Sequence, residues 1–275
     1  MADHVLANVG AGMLAMSLSP VETMRRVGLE PEGWQGDVLD ARPRRLLLNV
    51  TRGGGKSTTA CVMAVDELLH GRALHGEVPL VLCIAPAERQ SRLLLRRVRA
   101  MYKKLGHRVS PPLRGTQTEL EFEDGGLMVA LPSTENIRSY QGVTLLLWEE
   151  MSRFASGPDG SDPAVDATTP MVHERGRIVG LSTPAGQRGT FWRLFTRPGD
   201  FPEWTRVTIT GEQSQRISAR KLAEERRRMT PTVFNAEYMC SFEDSAAQVF
   251  PTEMVRAALT TDVAPLQATW PRFAA

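Results

Sequence analysis

Apolar runs of strand length punctuate the chain at Leu46 to Val50, Val78 to Ile84, Val143 to Trp148 and Arg177 to Leu181. Each is continuous rather than alternating, the pattern of a strand buried on both faces in a parallel sheet. Trp204 to Thr210 alternates and reads as a fifth strand. Helical periodicity lies between them. Cys61, Ala64, Val65, Leu68 and Leu69 share one face of a helix expected to end near Gly71. Leu94, Val98, Met101 and Leu105 share a second, with Arg92, Arg96, Arg99 and Lys103 on its opposite face. With Arg97 and Lys104 added, this is the most basic stripe in the chain: a solvated helix face, or a phosphate contact in a protein that handles DNA.

The remaining pattern is lighter. Thr118 to Phe122, the turn Glu123–Gly126 and Leu127 to Leu131 predict a β-hairpin insert. The lead-in before residue 44 is helical near Met13 to Leu18 and Val21 to Val27. A helical segment is expected near Val165 to His173 after a Gly-, Ser-, Asp- and Pro-rich loop, and another helix begins at Phe191. Ser218 caps a helix through Met229, stopped before Pro231. The residues from Phe234 onward read as a small appendage. The sum is an α/β fold, a mostly parallel sheet flanked by helices.

The chemistry concentrates at the ends of those runs. After the first comes Thr51-Arg52-Gly53-Gly54-Gly55-Lys56-Ser57-Thr58, then the helix: strand, glycine loop, Lys-Ser and helix are the layout of a phosphate-binding loop. Glycines let consecutive backbone N–H groups turn around phosphate oxygens at the positive end of a helix. Lys56 places a charge on the outer phosphates, and Ser57 supplies a hydroxyl to Mg²⁺. The pattern wants a further glycine five positions before Gly55, where Val50 stands. Upstream, Trp34-Gln35 offers an aromatic to stack on adenine and an amide to hydrogen-bond it; the alternative is a turn with the Trp packed on the domain edge.

The third run ends in Glu149-Glu150, two carboxylates at the strand edge where open α/β sheets bind ligands. Glu149 then reads as a Mg²⁺ ligand, directly or through water, and Glu150 as the group polarising an attacking water. The other reading is two exposed acids at a strand end. The fourth run ends in Ser182-Thr183-Pro184, which faces the same edge and is either a sensor of the γ-phosphate or an ordinary turn.

Composition excludes a good deal. The 275 residues are 42% hydrophobic and 23% charged, ordinary for a globular domain with a sizeable core. Net charge is only +2, so nucleic-acid contact must come from a local patch. Three separated cysteines (Cys61, Cys83, Cys240) lack metal-ligand spacing and read as reduced, buried thiols. No apolar run approaches a membrane span, so the expected place is the cytoplasm, with no membrane partner.

In this order the motifs resemble the ATPase domain of the large terminase subunit, the DNA-packaging motor of tailed bacteriophages and herpesviruses. The stretch from Thr51 to Ser57 is similar to that family's deviant Walker A, with Arg at Arg52 and the first glycine missing. Trp34-Gln35 resembles its adenine-side motif, Ile84-Ala85-Pro86 with Gln90 its segment after the second strand, and Ser182-Thr183-Pro184 with Gly186, Gly189 and Phe191 its coupling motif. Phe234, Glu237-Tyr238 and Phe242 resemble its lid. The family has Asp-Glu where Glu149-Glu150 stands.

The resemblance implies a P-loop NTPase core of the ASCE type at 44–211, a lead-in at 1–43 and a lid subdomain with linker at 212–275. It implies ATP and Mg²⁺ as cofactors, and Arg52 as an arginine finger acting in cis or, failing that, a loop arginine salt-bridged to the surface. Implied partners are double-stranded DNA, a portal protein, a small terminase subunit and further copies in a ring, in the cytoplasm of an infected host. The family's RNase H-like nuclease domain is not expected here, since Glu253 and Asp262 do not form a two-metal acid set. Competing readings are another P-loop DNA translocase or helicase-like ATPase, and a catalytically inert nucleotide-binding module.

Overall fold

A computed structural model describes residues 12–106, 112–133, 137, 139–157, 160–243, 254 and 257–259. The four apolar runs and the alternating stretch pair side by side as parallel strands: β1 (Arg45–Val50), β2 (Leu80–Ala85), β6 (Val143–Glu149), β7 (Val172–Ser182) and β8 (Thr205–Ile209). The remaining strands are β3 (Arg114–Gly115), β4 (Glu119–Glu121) and β5 (Leu127–Pro132). The eight form one sheet in the order β3-β4-β5-β2-β6-β7-β1-β8. β4 and β5 are the expected hairpin, but β5 also pairs in parallel with β2 from Leu80↔Leu127 to Ala85↔Pro132, so the hairpin extends the main sheet rather than standing apart from it.

Both faces of the sheet are covered, which is why β1, β2 and β6 lack alternation, whereas the edge strand β8 keeps it. Leu46, Leu48 and Val50 face one core with Cys61, Val65, Leu94 and Val98, while Leu47 faces the other with Ile84, Leu146, Trp148 and Phe191. The first face carries helices α1 (Pro20–Arg26), α2 (Gly33–Ala41), α3 (Lys56–His75) and α4 (Glu88–Leu105). The second carries α5 (Pro163–Thr168) and α6 (Gly189–Thr196).

Three boundaries differ from the sequence expectation. Helix α3 runs past Gly71 to His75 and is capped by Gly76 at φ +79°. Gly71 is wanted for room: a Cβ there would collide with the Glu67 carboxylate and approach Pro79. The helical segment expected to reach His173 stops at Thr168; a 3₁₀ turn containing Pro170 follows, and β7 is already extended at Val172. Helix α2 forms where the sequence reads either an adenine-side Trp34-Gln35 pair or a turn. It is started by a capping box in which the Glu32 carboxylate accepts from the Gln35 backbone and the Gln35 side chain accepts from the Glu32 N–H.

After β8 come α7 (Ala219–Arg228), capped by Ser218, and α8 (Pro231–Tyr238), capped by Thr230. This segment is laced to the strand edge: Asn49 Nδ2 donates to the Cys240 carbonyl at 2.8 Å, and the Arg52 N–H donates to the Glu237 carbonyl at 2.9 Å. Cys61, Cys83 and Cys240 are buried and unpaired with one another. Glu253 and Asp262 lie outside the described residues, among which no helix is long and apolar enough to cross a membrane.

Candidate nucleotide site

The chain leaves β1 at Val50 and turns through three glycines into α3. Gly53 at φ +78° and Gly55 at φ +97° occupy the left-handed region, where a side chain is strained. Gly54 is excluded from substitution differently, since a Cβ would lie 2.7 Å from Thr51 Cγ2 and 2.8 Å from Val50 Cγ1. Gly55 is the N-cap of α3, so the unpaired N–H groups of that helix open onto the loop. Above them is a cavity of about 240 Å³ lined by Gly53, Gly55, Lys56, Ser57, Thr58 and Arg97.

The two glutamates reach this loop from the sheet. β7 lies between β1 and β6, so the acids sit one strand away from the glycine loop and project across β7 toward it. Ser57 Oγ donates to Glu149 Oε1 at 2.5 Å, and Lys56 Nζ lies 3.5 Å from Glu150 Oε1. Burial pushes the Glu149 carboxyl up to about 7; the neighbouring Glu150 adds to the rise, and the Ser57 hydrogen bond, Lys56 and Arg97 oppose it. Glu149 Oε2 is buried and has no hydrogen-bond partner among the described residues. Glu150 stands at a positive φ of 51°, unusual for a residue other than glycine and a backbone strain that accumulates at functional sites.

A serine hydroxyl beside a carboxylate with one oxygen unsatisfied is a set of hard oxygen donors, which fits Mg²⁺ shared between side chains and phosphates. Ser57 and Glu149 are the residues that would hold it.

Trp34 and Gln35 sit behind the loop. Gln35 is fully buried. Its amide nitrogen donates to Thr59 Oγ1 at 2.8 Å and toward the Gly55 carbonyl, while its oxygen accepts from the Glu32 N–H at 2.9 Å and Arg216 Nη2 at 3.0 Å. The amide therefore has no free donor or acceptor for a base and serves as a strut under the loop. The Trp34 indole N–H donates to Glu32 Oε2 and its ring packs against the first core.

The polar network continues away from the loop through Ser182, Thr183 and Glu237, and it also engages Arg153 and Ser152, to which the sequence alone assigns no role. Arg153, in the 3₁₀ turn after β6, lies 3.6 Å from Glu150 Oε2, donates to Glu237 Oε1 at 2.6 Å and reaches Thr183 Oγ1 at 3.3 Å. Ser182 Oγ shares a hydrogen bond with Ser152 Oγ at 2.6 Å and lies 3.4 Å from Glu150 Oε2. Pro184 is buried immediately after. Thr51 is fully buried, its hydroxyl directed at the Glu237 carbonyl. Arg52 is largely exposed and faces Glu237 Oε2 at 3.7 Å. Ser182–Thr183 thus touch Glu150 on one side and Glu237 of α8 on the other. Nothing local in the sequence marks Arg153; only its spacing of three from Glu150 would have paired them.

Parallel strands with β7 inserted between the glycine-loop strand and the double-glutamate strand define a P-loop NTPase fold of the ASCE type. More particularly, it is the fold of the phage large-terminase ATPase domain. The structure superposes on the large terminase ATPase domain of Thermus phage P74-26 with a TM-score of 0.61, 16% identity, 80% of this chain and 96% of that one. For the HK97 bacteriophage large terminase the values are 0.61, 15%, 78% and 51%. For the large terminase of a thermophilic bacteriophage in complex with ADP they are 0.57, 11%, 80% and 52%. This chain thus spans about half the length of the latter two. The last of these proteins has also been solved with ATP-gamma-S. No protein-family model and no curated protein sequence matches the chain.

Proposed function

We propose that this chain is an ATPase whose hydrolysis drives double-stranded DNA into a viral procapsid. The observation that carries the reading is the convergence of Lys56 and Ser57 with Glu150 and Glu149 at one strand edge, at 3.5 and 2.5 Å. A nest of backbone N–H groups, a buried lysine, a serine–carboxylate pair and a second carboxylate are the parts phosphoryl transfer to water requires.

In this reading the glycine loop and Lys56 bind the β- and γ-phosphates. Mg²⁺ at Ser57 and Glu149 would neutralise charge developing on the phosphate oxygens. Lys56 is drawn from Glu150 to the phosphates, and the freed Glu150 carboxylate orients the attacking water, held from behind by Arg153 and Ser182. Arg52 leaves Glu237 for the γ-phosphate, a finger worth on the order of 10³–10⁵ in rate. Loss of the γ-phosphate is passed through Ser182–Thr183 to Glu237 and the lid, 212–250.

The likeness to phage large terminases, one of them solved with ADP and with ATP-gamma-S, supports ATP as substrate and DNA as the moved polymer. Assembly would then involve a portal protein, a small terminase subunit and a ring of copies. The groove on α4 lined by Arg89, Arg92, Arg96 and Arg99 supports contact with DNA phosphates.

Phosphate release by the purified chain with Mg²⁺ and ATP, with and without duplex DNA, tests this. Turnover that disappears in Lys56→Ala is expected. Failure of the wild-type chain to bind ATP would refute it.

A further inference from the structure

The arginines of α4 do not all belong to one face. Arg89, Arg92, Arg96 and Arg99 line the outer groove with Glu88 and Gln117. Arg92 pairs with Glu88, Arg99 donates to the Thr116 carbonyl, and Lys104 donates to the Val27 carbonyl at 3.1 Å. Arg97 is turned out of that groove and lines the glycine-loop cavity beside Ser57 and Thr58. It is exposed, and among the described residues no hydrogen bond or ion pair engages it.

The packing explains how it gets there. α4 crosses the start of α3 so closely that the Cys61 thiol meets the Leu94 carbonyl at 3.8 Å, and Arg97 follows Leu94 by nearly one turn on the loop side. Its positive charge acts on Glu149 and on Cys61, drawing both toward their ionised forms.

We propose that Arg97 is a substrate-binding residue of this site, whose guanidinium takes the oxygens of the bound nucleotide's phosphates from the wall of the cavity formed by α4. The proposal rests on the nucleotide reading above and adds to it a cation that the glycine-loop motif does not contain. The chemistry suits the place. A phosphate chain carries several negative charges over two glutamates, and a guanidinium here would add to what Lys56 and Mg²⁺ supply. A guanidinium is charged at every working pH and presents paired donors to two phosphate oxygens at once. An unpaired arginine at the mouth gives up no ion pair when the ligand arrives. Arg52 stands apart from it, held by Glu237 and absent from that cavity lining, so the two arginines would approach from different sides.

The test is titration of the purified chain with a fluorescent ATP analogue and with pyrophosphate, both with Mg²⁺, alongside steady-state turnover. The variants are Arg97→Ala, Arg97→Lys and, as a charge control at the opposite strand edge, Arg175→Ala. Arg97→Ala is expected to weaken both ligands about tenfold, with KM rising by a like factor, since a charge-assisted contact of this kind is worth about one decade. Arg97→Lys should recover part of the loss and Arg175→Ala should bind as wild type, with all melting curves superposable. Wild-type binding with Arg97→Ala within about twofold would overturn the role of Arg97 and leave the site reading intact. Wild-type protein that binds neither ligand would overturn both.

Discussion

The hydroxyl of Ser57 donates to Oε1 of Glu149 at 2.5 Å, joining the first turn of the loop helix to the end of a strand 92 residues away. The contact crosses the intervening strand β7, so it exists only once the parallel sheet is assembled in this order. It also satisfies just one of the two carboxylate oxygens, leaving Oε2 buried and unpaired among the described residues.

That pairing makes the metal dependence testable. Ser57→Ala and Glu149→Gln are each expected to cut Mg²⁺-supported ATP turnover by a factor on the order of 10² or more, the scale of losing one stabiliser of developing charge. ATP binding measured in excess EDTA should be little changed. Equal loss of binding with and without Mg²⁺ would show that these side chains support the loop instead.

Glu237 holds two arginines and one threonine of the site: Arg153 at 2.6 Å, Arg52 at 3.7 Å and Thr183 at 3.4 Å. Glu237→Ala releases all three. The expected result is a fall in kcat of about tenfold with KM nearly constant, because the phosphate cradle itself is untouched. Glu237→Gln, which keeps one oxygen to accept from Arg153 and drops the charge facing Arg52, should lie between. A large rise in KM with unaltered kcat would place Glu237 in binding.

Asp66 gives a pH signature of stability. It is fully buried on α3, with Arg42 Nη2 at 3.0 Å and the charges of Arg177 and Glu67 around it. Burial pushes it up to about 6 from 3.8 despite Arg42. A raised carboxyl means the folded state holds a proton that the unfolded chain has already released, so its contribution falls as pH rises from about 4 to 6 and then levels. Wild-type stability relative to Asp66→Asn should therefore drop by about 1 kcal/mol between pH 5 and 7.5, His70 titrating alike in both. Chemical denaturation at the two pH values measures this; a constant difference would contradict it.

The legible parts are those where one local pattern carries the information. Leu46–Val50 and Val143–Trp148 are near-continuous apolar runs because helices cover both faces of the sheet, and Gly53–Ser57 needs its glycines whatever surrounds it. Helix α2 is hidden in sequence because Gly33 and Gly36 are poor helix formers and its start depends on a Glu32–Gln35 box with no Ser or Thr. Gln35 reads as a free amide because its partners, Thr59 and Arg216, are remote in sequence. Arg97 reads as one more basic residue of a stripe, since periodicity places residues around a helix but cannot say which neighbour each direction meets. Gly71 reads as a helix end, while the clash that requires it comes from the Glu67 carboxylate.

In the proposed mechanism Glu150 orients water for attack on a phosphate held by Lys56. Glu150→Gln, assayed side by side for nucleotide affinity and phosphate release, tests it most directly. ATP affinity is expected to equal wild type or be tighter, because Lys56 is relieved of its 3.5 Å carboxylate partner, and turnover to be lower by about 10²–10⁴. Turnover equal to wild type in this variant would contradict it.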